Sequence, residues 1–292
     1  WLPHPVLGDM LVETTYSDYK DFAGVKFPTK IVQTQGGFPV LELTVSEVQP
    51  NAAANIDVPE AVRGAGPSPV RVDSQKLADG VWFLGGGTHN SVVVEFKDYV
   101  AMVEGPLDEA RSLAVIAEAK KLVPIKPIRY LINTHHHFDH SGGIRTFVAE
   151  GATVITHEMN KAYYLKTFAM PRTLSPDALS KNPKEAKFET LTDKYVLTDG
   201  ARSVELYNVK GNGHNPGMVV AYMPKEKLLI EPDLFTPPPP KMPFSPVVSP
   251  FTVDLQKSIT ALKLDVRQIA PLHGRVVPMA EMQKALAAGK KS

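Results

Sequence analysis

The sequence predicts a mixed α/β fold preceded by a small β-rich segment. Between residues 9 and 48, apolar and polar residues alternate with period two and are punctuated by glycines, which is typical of an antiparallel meander. From Val70 onward, short β-branched runs alternate with amphipathic stretches, as in layered α/β proteins. The residues between the two patterns lack periodicity and concentrate Pro, Gly and Ala. The expected division is a β-rich segment at 1–49, a linker at 50–69 and a main domain at 70–292.

The periodicity of apolar residues and the positions of Gly and Pro also predict the helices and strands of the main domain. Apolar β-branched runs predict strands at 81–84, 91–96, 99–103, 128–132, 151–155, 195–197, 204–209, 218–223, 228–230 and 266–270. Helical periodicity predicts helices at 107–123, 144–150, 158–168, 254–264 and 279–288. The polar, proline-interrupted segment 171–192 is expected to form a lid or a rim insertion. The Pro237–Pro240 tract should begin a stiff loop that runs to Pro250.

Composition excludes several classes of protein. The chain has 292 residues, 43% hydrophobic and 22% charged, which is ordinary for a soluble globular protein. A net charge of +1 argues against a broad nucleic-acid-binding surface. No apolar run approaches the roughly 18–20 residues that a membrane span needs. Because the chain has no Cys, disulfides, zinc fingers and a thiol nucleophile are excluded.

The N-terminal region bears on location. The chain begins with Trp1 and carries no signal-peptide pattern, so we expect a processed or trimmed chain. The stretch TTYSDYKDFAGVKFPTKIVQTQGG resembles β-rich bacterial envelope domains of the outer-membrane lipoprotein-sorting type. This resemblance, which covers about 40 residues, favours a periplasmic or secreted location in a bacterium and leaves a cytoplasmic one open.

One stretch carries metal-binding chemistry: residues 134–143, THHHFDHSGG, directly after the predicted strand 128–132. His135 and His137 are two residues apart, project to one side of an extended segment and can hold one metal ion. Asp139 and His140 follow where the chain turns and can face a second ion. Three His and one Asp at these offsets should arise by chance in roughly one of a thousand chains or fewer. The motif therefore predicts a metal site.

Three further candidate ligands follow predicted strands. His214 lies after strand 204–209, Asp233 ends strand 228–230, and His273 follows strand 266–270. A loop histidine or a turn-forming aspartate would be the better interpretation of any one of them alone. Their shared position at strand ends, where α/β folds mount catalytic groups, strengthens all three together.

The series THHHFDHSGG, GNGHNPG, EPDLF and LHGR resembles the metallo-β-lactamase superfamily of metallohydrolases over residues 70–290. The resemblance implies an αββα sandwich with two metal ions at one edge. It assigns His135, His137 and His214 to one ion and Asp139, His140 and His273 to the other. Asp233 would bridge the two ions. With no thiolate among these ligands, Zn²⁺ fits best, and Mn²⁺, Fe or Co are alternatives.

The bridging position narrows the implied function. Most β-lactamases of the superfamily carry Cys or Ser there, so Asp233 is more similar to the general hydrolases, lactonases and thioesterases. Two cations about 3.5–4 Å apart can share a water molecule and lower its pKa to about 7. We therefore expect a hydrolase acting on the carbonyl group of an ester, lactone or thioester, with Asp139 orienting the nucleophile. β-Lactam hydrolysis is the runner-up; phosphodiester cleavage and non-catalytic binding are further alternatives.

Three other residues are candidate substrate contacts. His89 lies on a glycine-rich hairpin that could overhang the metals, and Phe235 belongs to the stiff loop. Arg275 could pair with an anionic group of the substrate, although a surface salt bridge is an equal alternative. The expected partner is a small molecule, without nucleic acid and without a membrane span. His136 should point away from the metals and pack. His157 is expected to support a ligand from behind or to begin a helix rather than to bind metal.

Overall fold

The computed structural model describes residues 1–53, 55–66 and 69–289. The chain divides into two compact units. One contains the described residues of Trp1–Pro69 and also Pro171–Ser175, and the other contains Val70–Met170 and the described residues from Pro176 onward. Parts of the expected linker (Ala54, Pro67 and Ser68) and the end of the expected main domain (290–292) lie outside the described residues. The limits of the three expected domains remain predictions.

Antiparallel strands form the first unit, which confirms the β-rich N-terminal segment. Two long strands, β3 and β4, pair from Val12–Gln35 to Phe22–Val25, and β5 extends the sheet from the other side of β4. The side chain of Arg172 donates hydrogen bonds to the carbonyls of His4, Pro5 and Val6, so the segment 171–175 is held by the chain's first residues. The strands are β1 Leu2–His4, β2 Gly8–Met10, β3 Val12–Phe22, β4 Val25–Gln35 and β5 Phe38–Thr44.

The second unit contains two sheets. Seven strands form the first, in the order β12-β11-β10-β9-β8-β7-β6, with parallel pairing from β9 to β12 and antiparallel pairing from β6 to β9. Its strands are β6 Asp73–Ala78, β7 Val81–Gly85, β8 Ser91–Glu95, β9 Val100–Val103, β10 Ile128–Ile132, β11 Thr153–His157 and β12 Phe188–Leu191. The six strands of the second sheet are ordered as numbered: β13 Lys194–Thr198, β14 Ser203–Asn208, β15 Val219–Met223, β16 Leu228–Glu231, β17 Gln268–Pro271 and β18 Val277–Pro278.

Helices cover the outer faces of both sheets. Seven are present among the described residues: α1 Glu109–Leu122, α2 Phe138–Ser141, α3 Ile144–Glu150, α4 Glu158–Phe168, α5 Ala178–Lys181, α6 Pro250–Ala261 and α7 Met279–Ala288. Residues of α1, α3 and α4 share a buried cluster with one face of the seven-stranded sheet. Residues of α6 and α7 share another with the six-stranded sheet. A third cluster joins the inner faces of the two sheets.

Strand periodicity explains these three clusters. On β8, Val92 and Val94 belong to the cluster between the sheets, whereas Val93 belongs to the cluster under the helices. Successive side chains of a strand point to opposite faces, so a strand covered on both sides is apolar at every position. The result is four layers, helix–sheet–sheet–helix, which confirms the expected αββα sandwich.

Several elements differ from the prediction. The segment 171–192, expected to form a lid or a rim insertion, contains α5, capped by Asp177, and the edge strand β12 of the seven-stranded sheet. The helix expected at 254–264 begins at Pro250, because the Ser249 side chain accepts a hydrogen bond from the backbone N–H of Phe251 and caps it. The strand expected at 151–155 is β11, two residues later, because Gly151 still terminates α3 in a left-handed conformation. Strand β6 was not predicted.

All seven candidate metal ligands belong to the second unit, so a chain that begins at Val70 should still bind metal. The comparison is the metal content per chain of the full-length and the shortened protein after gel filtration, with circular dichroism to check folding. Equal metal content is expected. A folded shortened chain that holds no metal would mean that the first unit contributes to the site.

Candidate metal centre

Asn133 fixes the shape of the loop that carries the first ligands. This buried amide follows β10 and donates hydrogen bonds of 3.0 Å to the carbonyls of His135 and His140. Its Oδ1 accepts hydrogen bonds from the hydroxyls of Thr156, at 3.1 Å, and Tyr164, at 2.5 Å. Every polar atom of the amide therefore has a partner, which the burial of a polar side chain requires. The loop is held in one conformation from the inside.

The candidate ligands of the motif occupy this loop and the short helix α2. His135 is completely buried at the end of the extended part, and His137 lies immediately before the helix. Asp139 and His140 are on the helix itself. The change from an extended to a helical backbone turns the second pair away from the first, as two separate ion positions require.

Loops of the six-stranded sheet carry the other three candidate ligands. His214 follows β14, and its backbone N–H donates to the side chain of Asn212 at 3.0 Å. Asp233 follows β16, and Glu231, two residues earlier, accepts hydrogen bonds from the backbone N–H groups of Leu234 and Phe235. His273 follows β17. The side chain of Asn90, in the hairpin before β8, fastens this loop by donating to the carbonyl of Gly274 at 2.9 Å.

The seven side chains form two groups that share one carboxylate. His135, His137, His214 and Asp233 form the first group, and Asp139, His140, His273 and Asp233 form the second. Within each group the ligand atoms lie within 4.8 Å of one another. Asp233 Oδ2 is 3.1 Å from the Nε2 atoms of His135 and His140 and 3.2 Å from that of His214. Its Oδ1 is 2.9 Å from His273 Nε2.

These separations fit metal ions. Ligand atoms bound at about 2.0–2.1 Å to a tetrahedral Zn²⁺ lie roughly 3.3 Å from one another. His214 Nε2 is 3.0 Å from His137 Nδ1, and His273 Nε2 is 2.9 Å from His140 Nε2. Among the described residues, neither His135 Nε2 nor Asp233 Oδ2 makes a hydrogen bond, although both atoms are buried. Buried polar atoms without partners require a reason, and a cation between them supplies one.

The electrostatics also favour cations. Burial lowers the pKa of His135 to about 3, so its imidazole is neutral and can donate a lone pair. Burial opposes the ionisation of Asp139 and Asp233, but the surrounding imidazoles outweigh it and hold the pKa of both carboxyls well below the usual range. Burial likewise disfavours a charged His273, yet these two carboxylates raise its pKa to about 9. The two carboxylates therefore favour positive charge in the group formed by Asp139, His140, His273 and Asp233.

Glu104 is a functional candidate that the sequence analysis missed. Its carboxylate is buried, accepts a hydrogen bond from Thr134 Oγ1 at 2.5 Å and lies 2.8 Å from His140 Nδ1. A carboxylate can only accept, so Nδ1 of His140 carries the proton and Nε2 is free for a metal. Glu104 directly follows β9, the strand before the one that leads into the motif, and has a positive φ of 77°. Its only sequence signal was an acidic residue at the end of an apolar strand.

The remaining candidate residues have different environments. His89 Nε2 is 3.0 Å from Asp139 Oδ2, so its hairpin reaches the second ligand group. Arg275 forms a salt bridge of 2.6 Å with Glu281. This is the salt-bridge alternative for Arg275, not the alternative in which it binds an anionic group of the substrate. Phe235 is buried in the cluster beneath the six-stranded sheet. His136 turns away from the ligands toward Asn160, 3.0 Å away, and His157 caps α4, both as expected.

Comparison with known proteins identifies the family. The model of the metallo-β-lactamase superfamily matches residues 84–278, which include all seven ligand candidates. The chain belongs to the metallo-β-lactamase superfamily. The resemblance inferred from the four motifs is thereby confirmed. No curated protein matches the chain.

Solved structures of metallo-β-lactamases have the same fold. A metallo-β-lactamase from Pontibacter korlensis is 17% identical, with a TM-score of 0.57, and the match covers 76% of this chain and 100% of that one. One from Hirschia baltica is 17% identical, with a TM-score of 0.56 and coverage of 75% and 97%. The mono-zinc form of FIM-1 from Pseudomonas aeruginosa is 18% identical, with a TM-score of 0.56 and coverage of 77% and 97%.

Replacing Glu104 with Gln should weaken metal binding about 10- to 100-fold. In one orientation the amide nitrogen of Gln would face His140 Nδ1–H, which would lose its acceptor. In the other orientation it would face the side-chain amide of Asn133, which is also a donor. Either arrangement disturbs the position of His140. Competition with a chromogenic chelator measures the affinity. Glu185→Gln is the control, because Glu185 is an exposed glutamate. Equal metal affinity in both variants would show that Glu104 does not orient His140.

Proposed function

We propose that the chain is a dinuclear metal-dependent hydrolase that cleaves a small carbonyl substrate: an ester, a lactone or a thioester. The observation that carries the proposal is the sharing of Asp233 by two complete groups of candidate ligands. A hydrolase that adds water across an acyl bond needs no further co-reactant, and it releases a carboxylic acid and an alcohol or thiol. No side-chain nucleophile is required.

Each ion would have its own set of protein ligands. His135, His137 and His214 would hold one, Asp139, His140 and His273 the other, and Asp233 would contact both. Zn²⁺ suits neutral imidazoles and carboxylates in the absence of thiolates, with Mn²⁺, Fe or Co as alternatives. When bound, the ions supply Lewis acidity toward a carbonyl oxygen and lower the pKa of water.

Asp139 is the side chain proposed to orient the attacking group. Its Oδ2 lies 3.4 Å from the Nε2 atoms of both His140 and His273 and 3.0 Å from His89 Nε2. These contacts hold the carboxylate in one orientation, and its low pKa keeps it an acceptor at neutral pH. An ionised carboxylate in that position can accept a hydrogen bond from a water molecule and direct its lone pair toward the substrate.

Charge supports a small carbonyl substrate over nucleic acid. The net charge is +1, and a nuclease would need a run of basic residues to follow phosphates. Arg275, the strongest anion-binding candidate near a candidate ligand, is paired with Glu281.

Among the described residues, no helix is long and apolar enough to cross a membrane.

β-Lactam hydrolysis is the second candidate. The similar solved structures are metallo-β-lactamases by name, and their fold is that of this chain. Asp233, in place of the more usual Cys or Ser, favours the carbonyl hydrolases of the superfamily. A panel of chromogenic lactone, ester, thioester, β-lactam and phosphodiester substrates compares the two candidates. We expect the highest kcat/KM on a lactone, ester or thioester. A phosphodiester cleaved far faster than every carbonyl substrate would overturn the proposal.

Metal-replete protein should contain two metal ions per chain, measured by elemental analysis. Replacing Asp233 with Ala should lower that number, because both ligand groups lose one member. Asp98→Asn, an exposed aspartate, should leave it at two. Near-zero metal in the reconstituted wild-type protein would contradict the enzyme assignment.

Replacing Asp139 with Asn should lower kcat about 10²- to 10⁴-fold without unfolding the protein. The amide keeps the size of the side chain but removes the charge that orients the attacking group. Steady-state kinetics on the best substrate, with thermal unfolding as the check on folding and Asp98→Asn as the control, measure the effect. A variant that retains most of its activity would exclude this role for Asp139.

A further inference from the structure

A cavity of about 610 Å³ lies between the proline-rich loop that follows Asp233 and helix α7. Asp233 lines it on one side and Ala285 of α7 on the other. Asp233 is also the carboxylate common to both candidate ligand groups, so the cavity begins where the metals would lie. Its volume is in the range of small-molecule sites, about 300–1,000 Å³.

The wall of this cavity is apolar. Phe235, Phe244 and Val248 line it together with the prolines 237–239. Phe235 is anchored in the buried cluster beneath the six-stranded sheet, and Phe244 packs against that cluster. Among the residues that line the cavity, Asp233 is the only charged one. A polyanion or a strongly polar group would find no partner here away from the metals.

Most hydroxyl groups around the cavity are committed to the backbone. Thr252 Oγ1 donates a hydrogen bond to the carbonyl of Leu234 at 2.8 Å. Ser249 Oγ accepts from the N–H of Phe251 at 3.3 Å, and Ser245 Oγ accepts from that of Val247 at 3.1 Å. Because these three hydroxyl groups each make a backbone hydrogen bond and most of the other lining side chains are hydrocarbon, the lining offers mainly carbon atoms to a ligand.

The proline residues make this wall stiff before any ligand arrives. Pro237, Pro238 and Pro239 each have a fixed φ angle, and such a tract resists bending. A preformed apolar surface costs little conformational entropy on binding, so most of the gain from burying a chain is retained.

We propose that this cavity binds the unbranched aliphatic acyl chain of the substrate, with the carbonyl group beside Asp233 at the metal centre. The inference rests on the proposed carbonyl hydrolase and adds the substrate class: medium-chain acyl esters and thioesters, or lactones with an alkyl side chain. Each methylene buried against carbon contributes roughly a two- to fourfold gain in kcat/KM. Short acyl groups leave the cavity unfilled and lose that gain.

A series of p-nitrophenyl esters from acetyl to decanoyl tests the preference with metal-loaded, full-length protein. The expected result is a rise in kcat/KM of roughly two- to fourfold per methylene up to about eight carbons. A flat or falling series on a protein that hydrolyses the acetyl ester would overturn the assignment of the cavity while leaving the proposed hydrolase in place.

Two substitutions on helix α7 test whether the preference for longer acyl chains arises in this cavity. Ala285→Trp fills the cavity and should lower the ratio of kcat/KM for the octanoyl ester to that for the acetyl ester at least tenfold. Ala287→Trp is the matched control, because Ala287 is exposed and does not line the cavity. Should Ala285→Trp fail to fold, Phe244→Ala removes a wall without needing space, and it should weaken the chain-length preference in the same direction.

A binding measurement separates this inference from the proposed function. Calorimetry with decanoate and acetate on metal-loaded protein should show decanoate binding at least tenfold more tightly, with the difference lost in Ala285→Trp and kept in Ala287→Trp. Selective decanoate binding without hydrolysis of any carbonyl substrate would overturn the proposed function and support the cavity as an aliphatic-chain site. Decanoate binding that Ala285→Trp and Phe244→Ala both leave unchanged would overturn the cavity assignment.

Discussion

The convergence of six candidate ligand side chains on Asp233 is the constraint on which the rest of the site depends. Its Oδ2 approaches three imidazole nitrogens at 3.1–3.2 Å, and its Oδ1 approaches a fourth at 2.9 Å. A largely buried carboxylate is costly to leave without neutralising charge, because desolvation removes the water that would screen it. Cations between the groups would resolve this cost. The αββα sandwich makes the convergence possible, since loops from both sheets meet at one edge.

A second set of buried groups maintains that convergence. Glu104 determines which ring nitrogen of His140 carries the proton. Asn133 connects the carbonyls of His135 and His140 to the neighbouring strands and helix through its hydrogen bonds. Burial raises the pKa of Glu231 to about 8. Its carboxyl group accepts hydrogen bonds from two backbone N–H groups in the loop that contains Asp233. None of these side chains needs to touch a substrate to matter, because metal affinity depends on how firmly the ligands are oriented.

Much of this arrangement could be predicted from the sequence, and what could not has a physical reason. The offsets within residues 134–143 predicted a metal site, and the motifs around His214, Asp233 and His273 resembled the family. That resemblance implied the candidate ligand set, whose members lie together in two groups. Strand β10 was predicted with its observed limits. Glu104 and Asn133 were missed because a single buried polar residue carries no periodic signal. Arg275 was ambiguous because its partner, Glu281, lies in the next helix, and only the fold decides between a substrate contact and an ion pair.

Anomalous diffraction from crystals of the metal-loaded protein, recorded on both sides of the metal absorption edge, tests the central claim most directly. The account predicts two anomalous peaks per chain, one within the group of His135, His137 and His214 and one within the group of Asp139, His140 and His273. Both peaks should lie within bonding distance of Asp233. A single peak, or peaks that do not contact Asp233, would contradict the shared-carboxylate site.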